Sequence, residues 1–471
     1  MIIQEAVRIA MKTFEQKISS FASKADAEEL TADLASDFSK ALQGALAAAG
    51  QEGFRTFIES YDPSSEGNII EIDGQSLRWK MISLKNFLTP FGKIPISRSL
   101  YQADSGGPSR CPLDDFWGMS GESATEDVRE ASTYAMAHMT AEETEHLFSK
   151  CAWFHPSATA IRNMTNSVGE LVETHADDIL PAVQSADPLP SGTDILVASM
   201  DGVNVLLREQ GSVQGRPAER PQSKKKGSAK TAYRNAMTGV VSCYALPADP
   251  EERPKRLQSR YTARMPQKGS VTFKGQFEQE VMAAEAKAPP GTIKLFLCDG
   301  HRGIWTYAQN TPLYNDYEKL VDFYHTTEHL SKASEALFGK NSRKGQQWYQ
   351  DYRLKLLEQD NAAESIIRSI DYHLKKAHRS SGRRREASAE KTFFRRNRHL
   401  MKYADFLRRG LPIGSGPVEA ACKSIVKTRL CRSGMRWSRQ GGQYILDLRC
   451  FVKSNRWDMF WKEYVRLKRA S

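Results

Sequence analysis

Apolar positions through residues 1–62 recur every three or four residues, the period of a helix with one buried face. Val7, Met11, Phe14, Ile18 and Phe21 alternate by four and three, like a helix–helix seam, over about two heptads. Leu30, Leu34, Phe38, Leu42 and Leu46 form a second apolar face. The pattern predicts a packed helical hairpin, with a dimerisation arm as the alternative. Residues 63–116 change to a period of two and read as a small β module. Ile70 and Ile72 alternate, Asp73-Gly74 supplies a turn, and Leu77 and Trp79 alternate again, a β-hairpin signal. A second pair of short strands is expected around Pro90-Phe91-Gly92, and 104–109 is loop. Helical spacing returns over residues 117–190. Thr140-Ala141-Glu142-Glu143 is a capping-box start, leading to helices over 141–152 and 157–175. Two helices joined by a tight turn are compatible with helix-turn-helix DNA binding.

From Asp194 the pattern becomes α/β. An apolar run, Ile195 to Met200, ends at Asp201; a turn at Gly202 and a second strand, Val203–Leu207, are expected next. Thr238–Leu246 reads as a third strand, Phe273–Lys287 as a helix, and Ile293–Cys298 as a fourth strand ending at Asp299. A helix from Gly300 to Gln309 and a short strand at 319–323 complete the set. Three consecutive strands, then a helix between further strands, is the order of an RNase H-like core, here residues 191–325. Residues 326–409 are almost wholly helical in pattern and read as an all-α insertion; residues 410–471 return to the core and end in a basic tail. The fold class expected is therefore α/β, an RNase H-like catalytic core with an all-α insertion, preceded by helical and small β N-terminal domains.

Composition narrows the partners. The 471 residues carry a net charge of +11 and a pI near 9.2, which favours an anionic partner. No apolar run approaches the ~20 residues of a membrane span, and the N-terminus lacks a basic region and cleavage pattern. The seven cysteines are scattered without a C-x-x-C pair, which suits a reduced cytoplasm rather than a zinc ribbon. The insertion ends in a basic stretch holding Arg383, Arg384, Arg385, Arg395 and Arg396, with Phe393, Phe394 and Tyr403 interleaved. That mixture suits nucleic-acid backbone and bases. Lys224-Lys225-Lys226 is a second basic run.

The candidate chemistry lies in three acids. An acid at the end of a buried strand is costly unless it holds something positive. Asp201 and Asp299 end apolar runs, and Glu419 falls in the first turn of a helix starting at Pro417, where proline tolerates its missing N–H. Carboxylates converging on two Mg²⁺ (or Mn²⁺) ions can cut and join phosphodiesters without a covalent intermediate.

Four stretches carry a family resemblance: Met200-Asp201-Gly202, Cys298-Asp299-Gly300, Asp322-Phe323-Tyr324-His325, and Pro412-Ile413-Gly414-Ser415-Gly416-Pro417-Val418-Glu419. With Arg432-Ser433-Gly434-Met435-Arg436-Trp437-Ser438 and Arg456-Trp457-Asp458, the chain resembles bacterial insertion-sequence transposases of the DDE class, most closely the ISKra-type group, over roughly residues 85–465. The resemblance implies Asp201, Asp299 and Glu419 as a metal-binding catalytic triad and an insertion ahead of the glutamate. Its expected partners are the element's terminal repeats and target DNA, bound by a dimer or higher assembly. Asp322 and His325 resemble a supporting acid–histidine pair, in which the aspartate orients an imidazole that contacts a phosphate. Lys423, Lys427, Arg429, Arg432 and Arg436 are expected to contact phosphates, and Trp437 to stack on a frayed base or to lie in the core. Relatives carry a cysteine pair in the stretch matching Tyr101–Pro112, where this chain has Cys111 alone; one cysteine makes no structural zinc site. Two rival readings remain. One is a transposase-derived DNA-binding regulator without catalysis. The other is a metallopeptidase, from His325-Thr-Thr-Glu328-His329. Because the insertion separates Glu419 from the two aspartates, Glu419 is the member expected to stand displaced without DNA.

Overall fold

The four-and-three alternation of residues 7–21 builds α1 (Ile2–Ala25), which pairs with α2 (Ala32–Glu59). Thr31 caps α2 by accepting from the Leu34 N–H at 3.1 Å, and Phe21 meets Phe38 with ring centroids 5.7 Å apart. Only part of the seam is covered: Val7 and Met11 remain exposed. The structure is a computed structural model that describes residues 2–25, 31–63, 69–208, 233–249, 252–376 and 380–470. It divides into one unit of residues 1–168 with 465–471 and a second of residues 169–464.

In the first unit, β1 (Ile69–Ile72), β2 (Gln75–Thr89) and β3 (Gly92–Gln102) form an antiparallel sheet in that order. The two hairpins expected from the sequence share one long middle strand, β2. Phe87 of β2, with Ile94 and Ile96 of β3, packs in one core with Ile58 of α2. Cys111 lies in this core, and burial pushes its thiol up to about 11, so it serves packing. The helices α3 (Pro112–Phe116), α4 (Glu126–His138), α5 (Ala141–Cys151) and α6 (Ala158–Thr174) follow. Thr140 and Glu143 make the capping box reciprocally.

After α7 (Ala176–Ala186), the second unit holds a mixed five-stranded sheet in the order β6-β5-β4-β7-β8. Its strands are β4 (Ile195–Leu206), β5 (Tyr233–Ala245), β6 (Lys255–Arg264), β7 (Ile293–Cys298) and β8 (Glu318–Val321). The first three pair antiparallel, while β4, β7 and β8 run parallel, joined by α8 (Val271–Glu285) and α9 (Arg302–Asn310). This is a mixed α/β arrangement, as the sequence led one to expect. The turn expected at Gly202 does not occur: β4 pairs with β5 straight through it, Gly202 opposite Met237. The apolar positions explain this, because Val197, Val203, Val205 and Leu207 stay in one phase of the pleat. In turn, β6 was not expected. Its sequence, Lys-Arg-Leu-Gln-Ser-Arg-Tyr-Thr-Ala-Arg, is that of a charged edge strand.

Five helices follow among the described residues: α10 (Phe323–Phe338), α11 (Arg343–Glu358), α12 (Ala362–Lys376), α13 (Ser381–Asn397) and α14 (Tyr403–Arg408). Their apolar faces, including Leu330, Ile366, Ile370, Phe394 and Phe406, join the sheet's core in one cluster with Leu295, Phe296 and Leu320. Phe393, Phe394 and Tyr403 are therefore packing residues; their interleaving with arginine is the two-faced pattern of α13 and α14. The chain ends with α15 (Gly416–Ala421), a π-helical turn at Cys422–Lys427, α16 (Thr428–Leu430), α17 (Arg439–Lys453) and α18 (Trp457–Ala470). Among the described residues no helix is long and apolar enough to cross a membrane.

Candidate active site

Parallel pairing sets the floor of the site. Ala198 of β4 is opposite Phe296 of β7, so the same step along each strand brings Asp201 level with Asp299. Cys298 is opposite Val321 of β8, so Asp299 is in turn level with Asp322. Three acids thus stand side by side where β7 and β8 end, while β4 runs on. A buried thiol helps fix the row, as Cys298 Sγ accepts the Met200 N–H at 3.1 Å.

Each carboxylate has a distinct environment. Asp201 Oδ1 accepts its neighbour Gly202 N–H at 2.6 Å, and Oδ2 accepts from the Cys422 thiol at 3.6 Å. Burial pushes Asp201 above the ordinary aspartate range, and the charge of Asp299 adds to this. Asp299 Oδ1 accepts the His301 N–H at 3.0 Å at the start of α9. Asp322 is fully buried, with both oxygens engaged: Oδ1 caps α10 by accepting the His325 backbone N–H at 2.6 Å, and Oδ2 accepts the Ser415 N–H. So Asp322 orients His325 through the backbone, whereas the imidazole has other partners.

Glu419 comes from the loop that Asp322 holds. Beside the Ser415 bond, the Phe323 N–H donates to Ile413 O at 3.0 Å. Gly414 lies so close to Tyr324 that a Cβ there would sit 2.8 Å from its ring. These contacts seat the start of α15. The Glu419 side chain is exposed, and its pKa is raised by partial burial and then by the charge of Asp322, with Asp201 adding to it. Cys422, one turn further on, has its thiol pushed up to about 12 by burial and by Asp201. Among the described residues no three His, Cys, Asp or Glu side chains close on one point as a metal cage. The donor chemistry still suits a hard cation. Asp201 and Asp299 are oxygen ligands in a partly dry cluster whose like charges a cation would relieve.

Within charge range of Asp201 stands a histidine pair. His325 Nε2 is 3.3 Å from His329 Nε2, and His329 Nδ1 is 2.6 Å from Glu390 Oε2 on α13. The charge of His325 lowers the Asp201 pKa, against the net upward shift. Glu328 is exposed and 3.9 Å from His325 Nδ1, so His325-x-x-Glu328-His329 does not close into a three-ligand zinc site. Glu390 was not expected here from the sequence, since nothing in its spacing points back to residue 329; His329 was paired with His325 only through the metallopeptidase pattern.

The basic candidates separate by exposure. Arg384, Arg385, Arg395 and Arg396 are exposed on α13, with Arg396 Nη2 donating to Gly300 O at 3.0 Å. Arg383 is half-buried and donates to Glu335 O at 3.1 Å. Lys423, Lys427, Arg432 and Arg436 are exposed along the helix after Glu419 and its continuation. Arg429 is 1% exposed and lies over the Trp437 ring at 5.1 Å, so it presents no charge at the surface. Trp437 gives its indole N–H to Leu430 O at 3.1 Å, and its backbone clasps Leu206 and Arg208 at the end of β4. Lys224, Lys225 and Lys226 lie outside the described residues.

No protein-family model and no curated protein matches this chain. Among solved structures it is similar to a chain of the Drosophila P element transposase strand transfer complex. The identity is 13%, over 72% of this chain and 80% of that one, with a TM-score of 0.23. A likeness of that size decides neither fold nor function.

Proposed function

We propose that this chain is an insertion-sequence DNA transposase of the DDE class, with β4–β8 as an RNase H-like core and α10–α14 as its helical insertion. The observation that carries the reading is the level pair Asp201 and Asp299 on adjacent parallel strands, with the charge of Asp201 felt in turn by Glu419. Asp201, Asp299 and Glu419 would hold Mg²⁺ or Mn²⁺, two ions in all, which supply Lewis acidity and an activated water or 3′-hydroxyl. The chain's own residues do the rest. Cys422 and the Gly202 N–H fix the Asp201 carboxylate, and Asp322 anchors the loop that leads to Glu419. Lys423, Lys427, Arg432 and Arg436 bind the phosphates flanking the scissile bond, joined by the exposed arginines of α13. Backbone contacts of this kind set register and salt dependence rather than sequence choice. The substrate is the transposon's terminal repeats, the product strand is joined to target DNA, and pairing of two ends calls for at least a dimer.

Cleavage of a duplex carrying those repeats, with Mg²⁺ or Mn²⁺, tests the reading. Wild type should leave a 3′-OH, and Asp201→Ala, Asp299→Ala and Glu419→Ala should each lose about 1000-fold or more in rate. Equal cutting by all four proteins would sink the assignment.

A further inference from the structure

We infer that Glu390 and His329 are positioning residues for His325, so that helix α13 sets the tautomer and direction of an imidazole beside the acid row; this rests on the transposase reading for its consequence in catalysis. The chain of contacts has one consistent polarity. A carboxylate only accepts, so at 2.6 Å from Glu390 Oε2 the Nδ1 of His329 carries a proton. In neutral His329 the other nitrogen, Nε2, is then an acceptor. His325 Nε2, 3.3 Å away, is the donor that meets it. Neutral His325 therefore has its lone pair on Nδ1, the only ring nitrogen left to meet a substrate. When His325 is protonated, Nδ1 becomes a donor to a phosphate oxygen, and the Glu390 carboxylate at the far end balances the charge. Glu328 Oε2, 3.9 Å from that nitrogen, is beyond hydrogen-bond reach.

The geometry holds this arrangement from two directions. The His329 ring lies flat on Phe393, 3.6 Å between centroids and 14° between planes, so it cannot turn without losing the stack. Phe393 in turn covers Gly300, where a Cβ would lie 2.3 Å from the ring, directly after Asp299. Glu390 and Phe393 are one turn apart on α13, so one helix face braces both the imidazole chain and the residue following Asp299. A carboxylate–histidine pair that orients a working group changes rate by about 10- to 100-fold when broken.

The test uses the full-length protein with Glu390→Gln, Glu390→Asp and His329→Phe, the last keeping the stack on Phe393 without the nitrogens. Expected are a kcat for end cleavage about 10- to 100-fold lower in E390Q and H329F, an unchanged KM for DNA and thermal midpoint, and partial recovery in E390D. Imidazole ¹⁵N spectra of histidine-labelled wild type should show His329 protonated on Nδ1 and His325 on Nε2, with both patterns altered in E390Q. Wild-type kcat in E390Q and H329F, or an Nε2-protonated His329 in wild type, would overturn the inference. If D201A cuts as well as wild type, it is the transposase reading that falls, and the ¹⁵N spectra still decide whether the chain of contacts exists.

Discussion

Asp201 carries the conflict on which the site is built. Its folded pKa stands above the ordinary aspartate value of 3.8, through burial first and the charge of Asp299 second. A raised acid contributes stability that is fully present below its ordinary pKa and is lost as pH rises through the raised one. The metal-free protein should therefore lose stability as pH climbs from 3.8 through that window. Asp201→Asn should remove the loss and raise the thermal midpoint at neutral pH, while Mn²⁺ should raise the midpoint of wild type more than that of the variant. A midpoint for D201N below wild type, or an equal Mn²⁺ effect in both, would count against the acid row as a cation site. Asp201 and Asp299 were legible because an acid at the end of an apolar run stands out against its neighbours. The duty of Asp322 was not, since its partner is the backbone of Ser415, far along the chain and without a side-chain signal. Cys422 lay closer to view, being one helical turn beyond Glu419 and hence on the same face.

At the level of elements, the π-helical turn at Cys422–Lys427 is the local irregularity nearest to Glu419. A π turn leaves carbonyls without their usual i+4 partners, and buried Arg449 of α17 answers this by donating Nε to Ile425 O at 2.7 Å and Nη2 to Ser424 O. Replacing Arg449 by Met should cost about 1–3 kcal/mol, read by urea denaturation, and should weaken DNA binding by shifting Lys423 and Lys427. Unchanged stability would mean the turn holds itself. Asp322→Asn belongs to the same scale. One of its two backbone bonds must be lost, so end cleavage should fall at least tenfold while DNA affinity stays within about twofold; equal losses of both would point to general unfolding. Periodicity in the sequence revealed the helices of the insertion and the strands β4, β7 and β8. It failed at β6, whose charges mimic a solvated loop, and at Gly202, where a glycine outweighed the unbroken phase of Val203, Val205 and Leu207. Within the tail motif, Trp437 and Ser438 serve as scaffold, while Arg432 and Arg436 stay exposed. Ser438 caps α17 by accepting from Gly441 N–H at 3.0 Å, and Trp437 clasps β4.

On the scale of the second unit, a buried ion cluster ties distant segments together. Arg456 donates to Asp187 at 2.6 Å and to both oxygens of Glu280 at 2.8 Å, while Arg260 donates to the same Asp187 oxygen at 2.6 Å. Burial alone would raise Asp187, but Arg260 and Arg456 outweigh it and hold its pKa low. That contribution is present above the ordinary aspartate value and lost as pH falls below it. Arg456→Met leaves two buried carboxylates short of a partner and should cost about 3–5 kcal/mol in denaturant titrations near neutral pH. For the chain as a whole, the DNA binding proposed above should weaken with salt, since the net charge is +11. Each charge removed at Lys423, Lys427, Arg432 or Arg436 should lower the slope of log K against log salt by about 1, and unchanged slopes would move the DNA path elsewhere.

The core that the sheet shares with α10–α14 bears on how far the chain can be trimmed. With Phe393 seated on Gly300 and Leu330 through Phe406 lining the same interior as Phe296, the helices cannot be cut away to leave the sheet standing by itself. A miniature version would need its replacement segment designed against the sheet, beginning with whatever ring takes the seat above Gly300.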